Sequence, residues 1–281
     1  MKKTALAALA LLLCLSMCSC KTVLRKAKEY ATGTEESTMP ADYLETRENG
    51  EYSYEVYIEY IRLTGYLGEE TEITLPSEID GRPVKVIGAH TFFEKAKVTS
   101  VTIPSSVTTI DESAFYYADA LLSVDIPDTV TEIGKRAFGW CNSLAEVTVG
   151  AGVTAIPDFC FNHCIALETV TFKGAVASVG VRAFSFCDAL KDISFPESAV
   201  SVGELAFESC AALEFAEFKA GDISFGKDVF RDSALVTVVS PEGSSAKAYC
   251  AENSLRWSTS RSVEATVPAK ETNAASESRS E

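Results

Sequence analysis

The chain has 281 residues, of which 47% are hydrophobic, 10% aromatic and 23% charged, a composition that excludes a disordered chain, a collagen and a polytopic membrane protein. Lys and Arg number 25 against 40 Asp and Glu, and the net charge of −15 argues against a nucleic-acid partner, because binding phosphates requires a basic face. The two histidines, His90 and His163, leave little material for a histidine-based metal site or catalytic base, so we expect no cofactor.

The start of the chain has the features of an export signal rather than of a fold. A positively charged beginning precedes an apolar run that is short for a membrane span, and polar chain follows it. The cysteines that end this run resemble a bacterial lipobox, in which cleavage precedes a cysteine that carries lipid. Cys20 follows the small Ser19, whereas Cys18 follows a bulky Met, so Cys20 is the predicted lipidation site and Cys18 the alternative. We predict a lipoprotein-type signal over residues 1–19, with a plain secretory signal as the other interpretation.

Two further segments precede the main body of the chain. Residues 20–50 are polar and lack an apolar period, which predicts a tether between a membrane and the folded part. Residues 51–83 alternate apolar and polar side chains and carry the turn residues Asp80 and Gly81. This pattern predicts a strand-rich N-terminal cap that leads into the next region.

From residue 84 to residue 240 the sequence repeats every 23 residues without an insertion. Four columns of apolar residues keep this spacing. The columns are Ile87, Ile110, Ile133, Ile156, Val179, Val202 and Phe225; Phe92, Phe115, Phe138, Phe161, Phe184, Phe207 and Phe230; Leu121, Leu144, Leu167, Leu190 and Leu213; and Val101, Val124, Val147, Val170, Ile193 and Ala216. A fixed period of this length is typical of a solenoid built from leucine-rich-type coils.

The columns also predict how the coils are built. Each coil buries its apolar edge only against its neighbours, and the Leu-x-x-Val-x-Ile segment supplies one short strand per coil for a parallel stack with about 4.8 Å per coil. The residue after the first column is often Gly, yet it is Asp111 and Pro157 in two coils, and proline cannot adopt positive φ. We therefore expect a compact turn at that corner, without a residue in the left-handed region of positive φ.

The end of the chain divides into a cap and a tail. Residues 241–257 contain Ser244 and Ser245 directly before AKAYCAEN, which predicts a short capped helix. Residues 258–281 are rich in Ser, Ala and Glu, lack aromatic residues and cannot bury enough apolar surface, so we predict a disordered tail. The predicted fold is an α/β repeat: a leucine-rich-repeat solenoid of about seven 23-residue coils with a parallel strand stack, a strand-rich N-terminal cap and a short C-terminal helical cap.

A column of cysteines is the first candidate for chemistry. Its members are Cys141, Cys164, Cys187 and Cys210, each three residues after the Phe column. A metal site or redox pairs is one interpretation, and a buried ladder of small hydrophobic side chains is the other. A linear ladder does not converge on one point as zinc requires, and side chains that point in parallel disfavour a disulfide. We predict that the cysteine and Phe columns are structural ladders.

Two surfaces are candidates for partner binding. The column Tyr117, Trp140, His163 and Phe186 forms an aromatic stripe if its rings project outward, and aromatic anchors dominate interface energetics. The alternative is that these rings partly cover the core. His163 has no carboxylate and nucleophile at motif spacing, so we do not expect it to be catalytic.

The second candidate surface is the outer face of the predicted strands. Alternation places polar and mildly acidic residues there, namely Ser123, Asp125, Glu146, Thr148, Thr169, Thr171, Asp192, Ser194 and Glu217. Solenoids often bind extended partners on such faces, although a solvated face needs no ligand.

The repeat resembles a known family. The pattern Val-x-x-Ile-Gly-x-x-Ala-Phe-x-x-Cys-x-x-Leu-x-x-Val, present as VTEIGKRAFGWCNSLAEV within 130–149, is similar to the BspA-type leucine-rich repeat of bacterial cell-surface proteins. The segments IDGRPVKVIG (79–88) and SPEGSSAKAYCAEN (240–253) resemble the ends of such arrays, so that the likeness covers residues 65–257. It implies cell-surface binding of host or bacterial proteins.

The sequence thus favours one function and leaves an alternative open. We expect a non-catalytic, adhesin-like module, lipid-anchored in the bacterial cell envelope and exposed at the surface, which binds an extracellular protein or glycoprotein. The alternative is a structural envelope protein or spacer without a specific ligand. An enzyme finds no support, because the sequence contains no HExxH, GxSxG or P-loop motif.

Overall fold

Parallel strands wind into a β-solenoid of about eight turns in the computed structural model, which describes residues 40–196 and 201–261. The predicted repeat fold is therefore confirmed. The predicted signal (1–19), the candidate lipidation sites Cys18 and Cys20, and the tail beyond residue 261 lie outside the described residues. Among the residues it does describe, no helix has the length and apolar character needed to cross a membrane.

An antiparallel meander begins the described chain and closes one end of the solenoid. Its strands are β1 (Tyr43–Glu48), β2 (Tyr52–Tyr57) and β3 (Ile61–Tyr66), followed by β4 (Glu72–Thr74), β5 (Glu78–Ile79) and β6 (Arg82–Ile87). β3 pairs antiparallel with β2 and parallel with β6, so it changes the meander into the solenoid. Its alternate side chains Ile61 and Leu63 are fully buried.

The first strand corrects the predicted boundary of the N-terminal cap. β1 falls within residues 20–50, the range predicted as a tether, because its position depends on backbone pairing with β2 rather than on an apolar period. The ring of Tyr43 meets that of Tyr57 edge-to-face, with centroids 5.8 Å apart. The folded part therefore begins before residue 51.

Each coil contributes one strand to a principal stack, as predicted. The strands of this stack are β7 (Ser100–Thr102), β9 (Ser123–Ile126), β11 (Glu146–Val149), β13 (Thr169–Phe172), β15 (Asp192–Phe195), β17 (Phe215–Phe218), β19 (Thr237–Val239) and β20 (Arg256–Ser258). They pair in parallel within two sheets, β7 to β13 and β15 to β20, and β4 precedes β7 with Ile73 opposite Val101. This first turn is 28 residues long instead of 23, which places it outside the register of the columns.

A second, shorter strand in each coil was not predicted. These strands are β8 (Thr109–Ile110), β10 (Glu132–Ile133), β12 (Ala155–Ile156), β14 (Ser178–Val179), β16 (Ser201–Val202) and β18 (Ser224–Phe225). Apart from Ile87, which ends β6, the apolar column that begins with that residue lies in them. Parallel pairing holds β6, β8 and β10 in register in one sheet and β12, β14, β16 and β18 in another. Two residues are too few to show alternation in a sequence.

The third side of each coil consists of turns that hydrogen-bond to the next coil. In one coil the N–H groups of Ser113, Phe115 and Tyr117 donate to carbonyl oxygens of the following coil at 3.0, 2.8 and 3.1 Å. Gly134, at the corner that leads into this side, has no positive φ; a Cβ there would lie 2.1 Å from the Glu112 nitrogen. Close approach of two backbones therefore explains this glycine.

The Phe column forms a continuous stack through the core. Its seven rings are buried, and successive centroids are 4.9–5.5 Å apart with interplanar angles of 2–14°. A shorter stack, Phe172–Phe195–Phe218, runs beneath the principal strands. Neighbouring coils therefore meet through offset-stacked rings, an arrangement that aromatic pairs prefer.

A helix and a final strand close the far end. Helix α1 (Ser245–Asn253) has Ser244 as its N-cap residue, although that side chain makes no capping hydrogen bond. Instead, Ser245 donates to the Ile223 carbonyl oxygen and accepts from its nitrogen, both at 2.7 Å. Trp257 packs against the last coil within β20. Ser258 belongs to the same strand, so the ordered chain continues into the range predicted as a tail.

Candidate functional site

The rings of Tyr117, Trp140, His163 and Phe186 form a second aromatic stack on the turn side, here called the aromatic edge. All four side chains are partly buried. Centroid separations are 5.3 Å from Tyr117 to Trp140, 3.9 Å from Trp140 to His163 and 4.3 Å from His163 to Phe186. The interplanar angles are 32°, 6° and 21°, so the rings lie nearly face to face.

The backbone fixes the spacing of the aromatic edge. Each of the four residues has φ of 60–61°, in the left-handed region. Its N–H donates to a carbonyl oxygen of the next coil at 2.8–3.1 Å. The same conformation recurs in two columns of the turn side, which contain His90, Ser113, Arg136, Phe159, Arg182, Leu205 and Asp228, and Glu94, Tyr117, Trp140, His163, Phe186, Ser209 and Asp232. Non-glycine residues adopt it at a cost of about 1 kcal/mol or more each.

The His163 ring is a neutral member of this stack. Burial lowers the pKa of its imidazole below the ordinary value of 6.5, and the nearby Arg182 lowers it further, whereas Asp188 raises it. Nδ1 lies 2.9 Å from the Asn162 amide oxygen, which can only accept, so Nδ1 carries the proton. At neutral pH His163 therefore packs as an uncharged aromatic ring between Trp140 and Phe186.

The two flanks of the aromatic edge differ in charge. One flank is the column that lies four positions after each Phe of the core stack. It includes Asp119, Ile165 and Asp188 and contains no basic residue. Ile165 is 45% exposed and Asp188 is exposed. Neither carboxylate forms an ion pair within the described part of the chain. The Asp119 carboxylate accepts a hydrogen bond of 3.0 Å from the Asn142 amide.

The opposite flank carries basic side chains that are already paired. Arg182 lies 3.0 Å from the carboxylate of Glu208, a side chain only 5% exposed, and Arg231 pairs with the other oxygen of that carboxylate. Ser185 donates to Glu208 as well, at 3.2 Å. Sequence patterns missed this network, because a single buried Glu in a column of Tyr, Gly, Asn and Ser has no periodic signal.

The outer face of the principal strands, here called the strand face, satisfies much of its charge internally. Lys173 lies 3.1 Å from the Asp125 carboxylate. Arg261 lies 3.0 Å from Glu217 and 3.8 Å from Asp192, so the chain that leaves β20 crosses this face. The predicted outward residues do lie on this face, exposed or partly buried: Ser123, Asp125, Glu146, Thr148, Thr169, Thr171, Asp192, Ser194 and Glu217. Ser194 is also occupied, since it donates to Glu217 at 3.0 Å.

The cysteine column lies in the core and has a specific hydrogen-bonding role. The thiols of Cys141, Cys164, Cys187 and Cys210 are fully buried and donate to the carbonyl oxygens of core Phe residues in the preceding coil at 3.1–3.3 Å. The Ser233 hydroxyl takes the same place one coil later, at 2.7 Å from the Phe207 carbonyl oxygen. Burial raises the pKa of the Cys210 thiol to about 12.

The buried cysteines are not arranged for metal or redox chemistry. All six described cysteines are free. Between residues 40 and 261, apart from 197–200, no group of three His, Cys, Asp or Glu side chains is placed to hold a metal ion. Because reactive cysteines have lowered pKa values and partial exposure, these raised values fit a packing role.

Comparison with known proteins adds a family match and structural neighbours. Residues 69–172 and 108–237 match the family model described as BspA type Leucine rich repeat region, with six copies. A leucine-rich repeat protein from Eubacterium ventriosum is 26% identical with a TM-score of 0.60, and the alignment covers 70% of this chain and 51% of that chain. The chain therefore spans about half of that neighbour's length. A comparison with curated proteins finds no match.

Two other solved structures are similar at lower scores. The T. pallidum leucine-rich repeat protein is 23% identical with a TM-score of 0.49, over 70% of this chain and 82% of that chain. A leucine-rich cell surface protein from Faecalibacterium prausnitzii is 21% identical with a TM-score of 0.42, over 79% of this chain and 97% of that chain.

Proposed function

Because the chain belongs to the BspA-type leucine-rich repeat proteins, we propose that it is a non-catalytic module, anchored at a bacterial cell surface, that binds a protein or glycoprotein through the aromatic edge. The family indicates a surface-protein or protein-interaction role, and leucine-rich repeat proteins are generally scaffolds rather than enzymes. The adhesin-like activity, the partner and the lipid anchor are the finer parts of the proposal.

One observation carries the choice of surface. The rings of Tyr117, Trp140, His163 and Phe186 are stacked in a row and left partly exposed, on a backbone that holds each of them in the left-handed region. A row of rigid aromatic side chains loses little conformational entropy on binding, and such residues supply much of the energy at interfaces. The strand face is a weaker candidate, because Lys173 and Arg261 already neutralise part of its charge.

The anchor part of the proposal depends on the sequence around Cys20. A Cys20→Ala variant should no longer incorporate labelled fatty acid, because the acylated sulfur is gone. The measurement is metabolic labelling followed by gel analysis, with Cys18→Ala as the matched control. If labelling persists in Cys20→Ala and is lost in Cys18→Ala, the anchor is at Cys18; if it persists in both, neither cysteine is the single site, and if the wild-type chain is not labelled, the lipid anchor is refuted.

The alternative function is a spacer that binds no specific ligand. The pairing of Lys173 with Asp125 and of Arg261 with Glu217 favours it, since a face that satisfies its own charges needs no partner. The two functions differ in one measurable property, which is saturable binding.

The test is binding of the purified full chain to extracellular-matrix proteins, mucins and bacterial envelope proteins. We expect saturable binding that is lost when Tyr117, Trp140 and Phe186 are changed to Ala. The control changes Asp125, Thr148 and Thr171 to Ala on the strand face, and thermal melts show that both variants are folded. Binding lost only in the control would move the site to the strand face, and no binding by the wild-type chain would favour the spacer.

A further inference from the structure

The geometry of the aromatic edge limits what it can bind. Both faces of the Trp140 ring and of the His163 ring are covered by their neighbours in the stack, at 3.9–5.3 Å. A sugar that stacks on an aromatic residue needs an open ring face. Trp140 and His163 present ring edges to a partner instead, and these suit contact with aliphatic side chains or a polypeptide backbone.

The acidic flank defines the charge of the partner. Asp119 and Asp188 border the aromatic edge on the side that has no basic residue, with exposed Ile165 between them. On the other side, Arg182 and Arg231 are bound to Glu208, and Arg136 lies 3.6 Å from Glu112. A docking segment therefore meets carboxylates that have no basic partner in the described chain, beside an apolar strip, and the chain's net charge of −15 adds to the attraction of a basic segment.

The spacing of the two carboxylates defines the conformation of the partner. Asp119 and Asp188 are three coils apart, or about 14 Å at about 4.8 Å per coil. In an extended strand about 14 Å corresponds to four residues, so side chains i and i+4 lie on the same face. In an α-helix the same distance is about nine residues, or two and a half turns, which places the two side chains on opposite sides.

These observations rest on the proposed function and specify its ligand: we propose that the aromatic edge binds an extended polypeptide segment with basic side chains four residues apart and an apolar side chain midway. The basic groups pair with Asp119 and Asp188. The central side chain falls between Asn142 and Ile165, against the edges of the Trp140 and His163 rings.

The test uses the purified full chain and fluorescein-labelled heptapeptides in an anisotropy titration at low ionic strength. The matching peptide has Lys at its second and sixth positions, Val at the fourth and Thr elsewhere. The first comparison peptide has the same composition with one Lys moved to the fifth position, and the second has Glu in place of both Lys. We expect the matching peptide to bind about threefold more tightly than the first, which loses one exposed ion pair, and about tenfold more tightly than the second, which loses both.

The matched protein variants separate a local effect from a general change of charge. Asp119→Asn with Asp188→Asn should weaken binding of the matching peptide about tenfold. Asp125→Asn with Asp192→Asn changes the net charge equally on the strand face and should leave binding unchanged. Both variants replace exposed or partly exposed side chains by isosteres, and thermal melts check that they fold like the wild type.

Several outcomes would overturn the inference. They are equal binding of the three peptides, no binding of any peptide, an equal effect of the two double variants, or competition by neutral oligosaccharides. If the peptides fail while a matrix or envelope protein still binds and loses binding in the Tyr117, Trp140 and Phe186 variant, only the inference falls. If no protein binds either, the proposed function falls with it.

Discussion

The strand face and the aromatic edge run along the same coils, yet they treat charge in opposite ways. On the strand face, Lys173 and Arg261 reach across from other parts of the chain to carboxylates that alternation directs outward. Beside the aromatic edge, Asp188 has no basic partner in the described chain, and the rings keep their edges open. The strand face, which the sequence shows as polar and accessible, thus pairs part of its charge within the chain. The aromatic edge, which the sequence shows as apolar like the core, is the surface with unpaired carboxylates beside it.

The comparison is tested most strongly by removing one ring from each aromatic stack. Phe161→Ala removes a fully buried ring between two others and should lower the free energy of unfolding by about 3–5 kcal/mol. Phe186→Ala, in the partly exposed aromatic edge, should cost about 1 kcal/mol. Urea denaturation of the full chain measures both. Similar losses would mean that the aromatic edge is simply part of the core.

A smaller effect should follow from Glu208→Gln. The substitution keeps the shape of a buried side chain but removes the charge that holds Arg182 and Arg231, and it should lower the free energy of unfolding by about 2 kcal/mol. It also leaves unpaired positive charge beside the aromatic edge, so the Lys heptapeptide should bind more weakly. Glu204→Gln, at an exposed position, is the control and should change stability by less than about 0.5 kcal/mol. Unchanged peptide binding would show that this network is electrically isolated from the edge.

The thiols behind the aromatic edge predict a dependence of stability on alkaline pH. The folded chain holds the Cys210 thiol protonated up to a pKa of about 12, whereas the unfolded chain releases this proton above the ordinary pKa of 9.0. The stabilisation is therefore complete below pH 9.0 and is lost as the pH rises toward about 12.

Cys210→Ser removes this titration while keeping a donor for the Phe184 carbonyl oxygen, as Ser233 does one coil later. Above pH 9.0 the variant should lose stability less steeply than the wild type, by about 1.4 kcal/mol per pH unit. Urea denaturation at several alkaline pH values measures the two slopes. Equal slopes would mean that the thiol is accessible to water.

The smallest effect is expected on the strand face itself. Arg261→Ala removes two contacts between exposed groups and should change the free energy of unfolding by less than about 1 kcal/mol. It leaves Glu217 and Asp192 without this base, yet binding at the aromatic edge should stay at the wild-type level. Chemical denaturation and the heptapeptide titration measure the two quantities. A gain in binding of the Lys peptide would show that the strand face competes for it.

The 23-residue period predicts most of the fold because stacking like residues on like residues leaves few alternatives. It predicts the principal strands and the buried Phe column, whereas the C-terminal helix was predicted from Ser244 and Ser245 outside the repeat. It fails at the first turn, where Ile73 and Val101 are paired across 28 residues and no column extends that far. It also misses the second strand of each coil, since backbone pairing of two residues leaves no pattern in side chains.

The candidate site is less visible in the sequence. The position of Trp140 in a column indicates a stack but not the left-handed backbone that sets its orientation, because no glycine stands there. The contacts of Arg261 and Glu208 depend on where distant segments meet, and a single residue has no period. Periodic features were therefore predictable, and individual charge pairs were not.

The thiol-to-carbonyl bonds of the cysteine column have a consequence for how the protein matures. Neighbouring coils are held together by packed aromatic rings and by hydrogen bonds from thiols to carbonyl oxygens, and the described cysteines contribute no covalent cross-link. The described part of the chain therefore needs neither an oxidant nor a disulfide isomerase to form the bonds of its native state. Its buried, protonated sulfurs also react slowly with peroxide, which attacks the thiolate. Once folded, this part of the chain therefore keeps its thiols intact in reducing and oxidising surroundings alike.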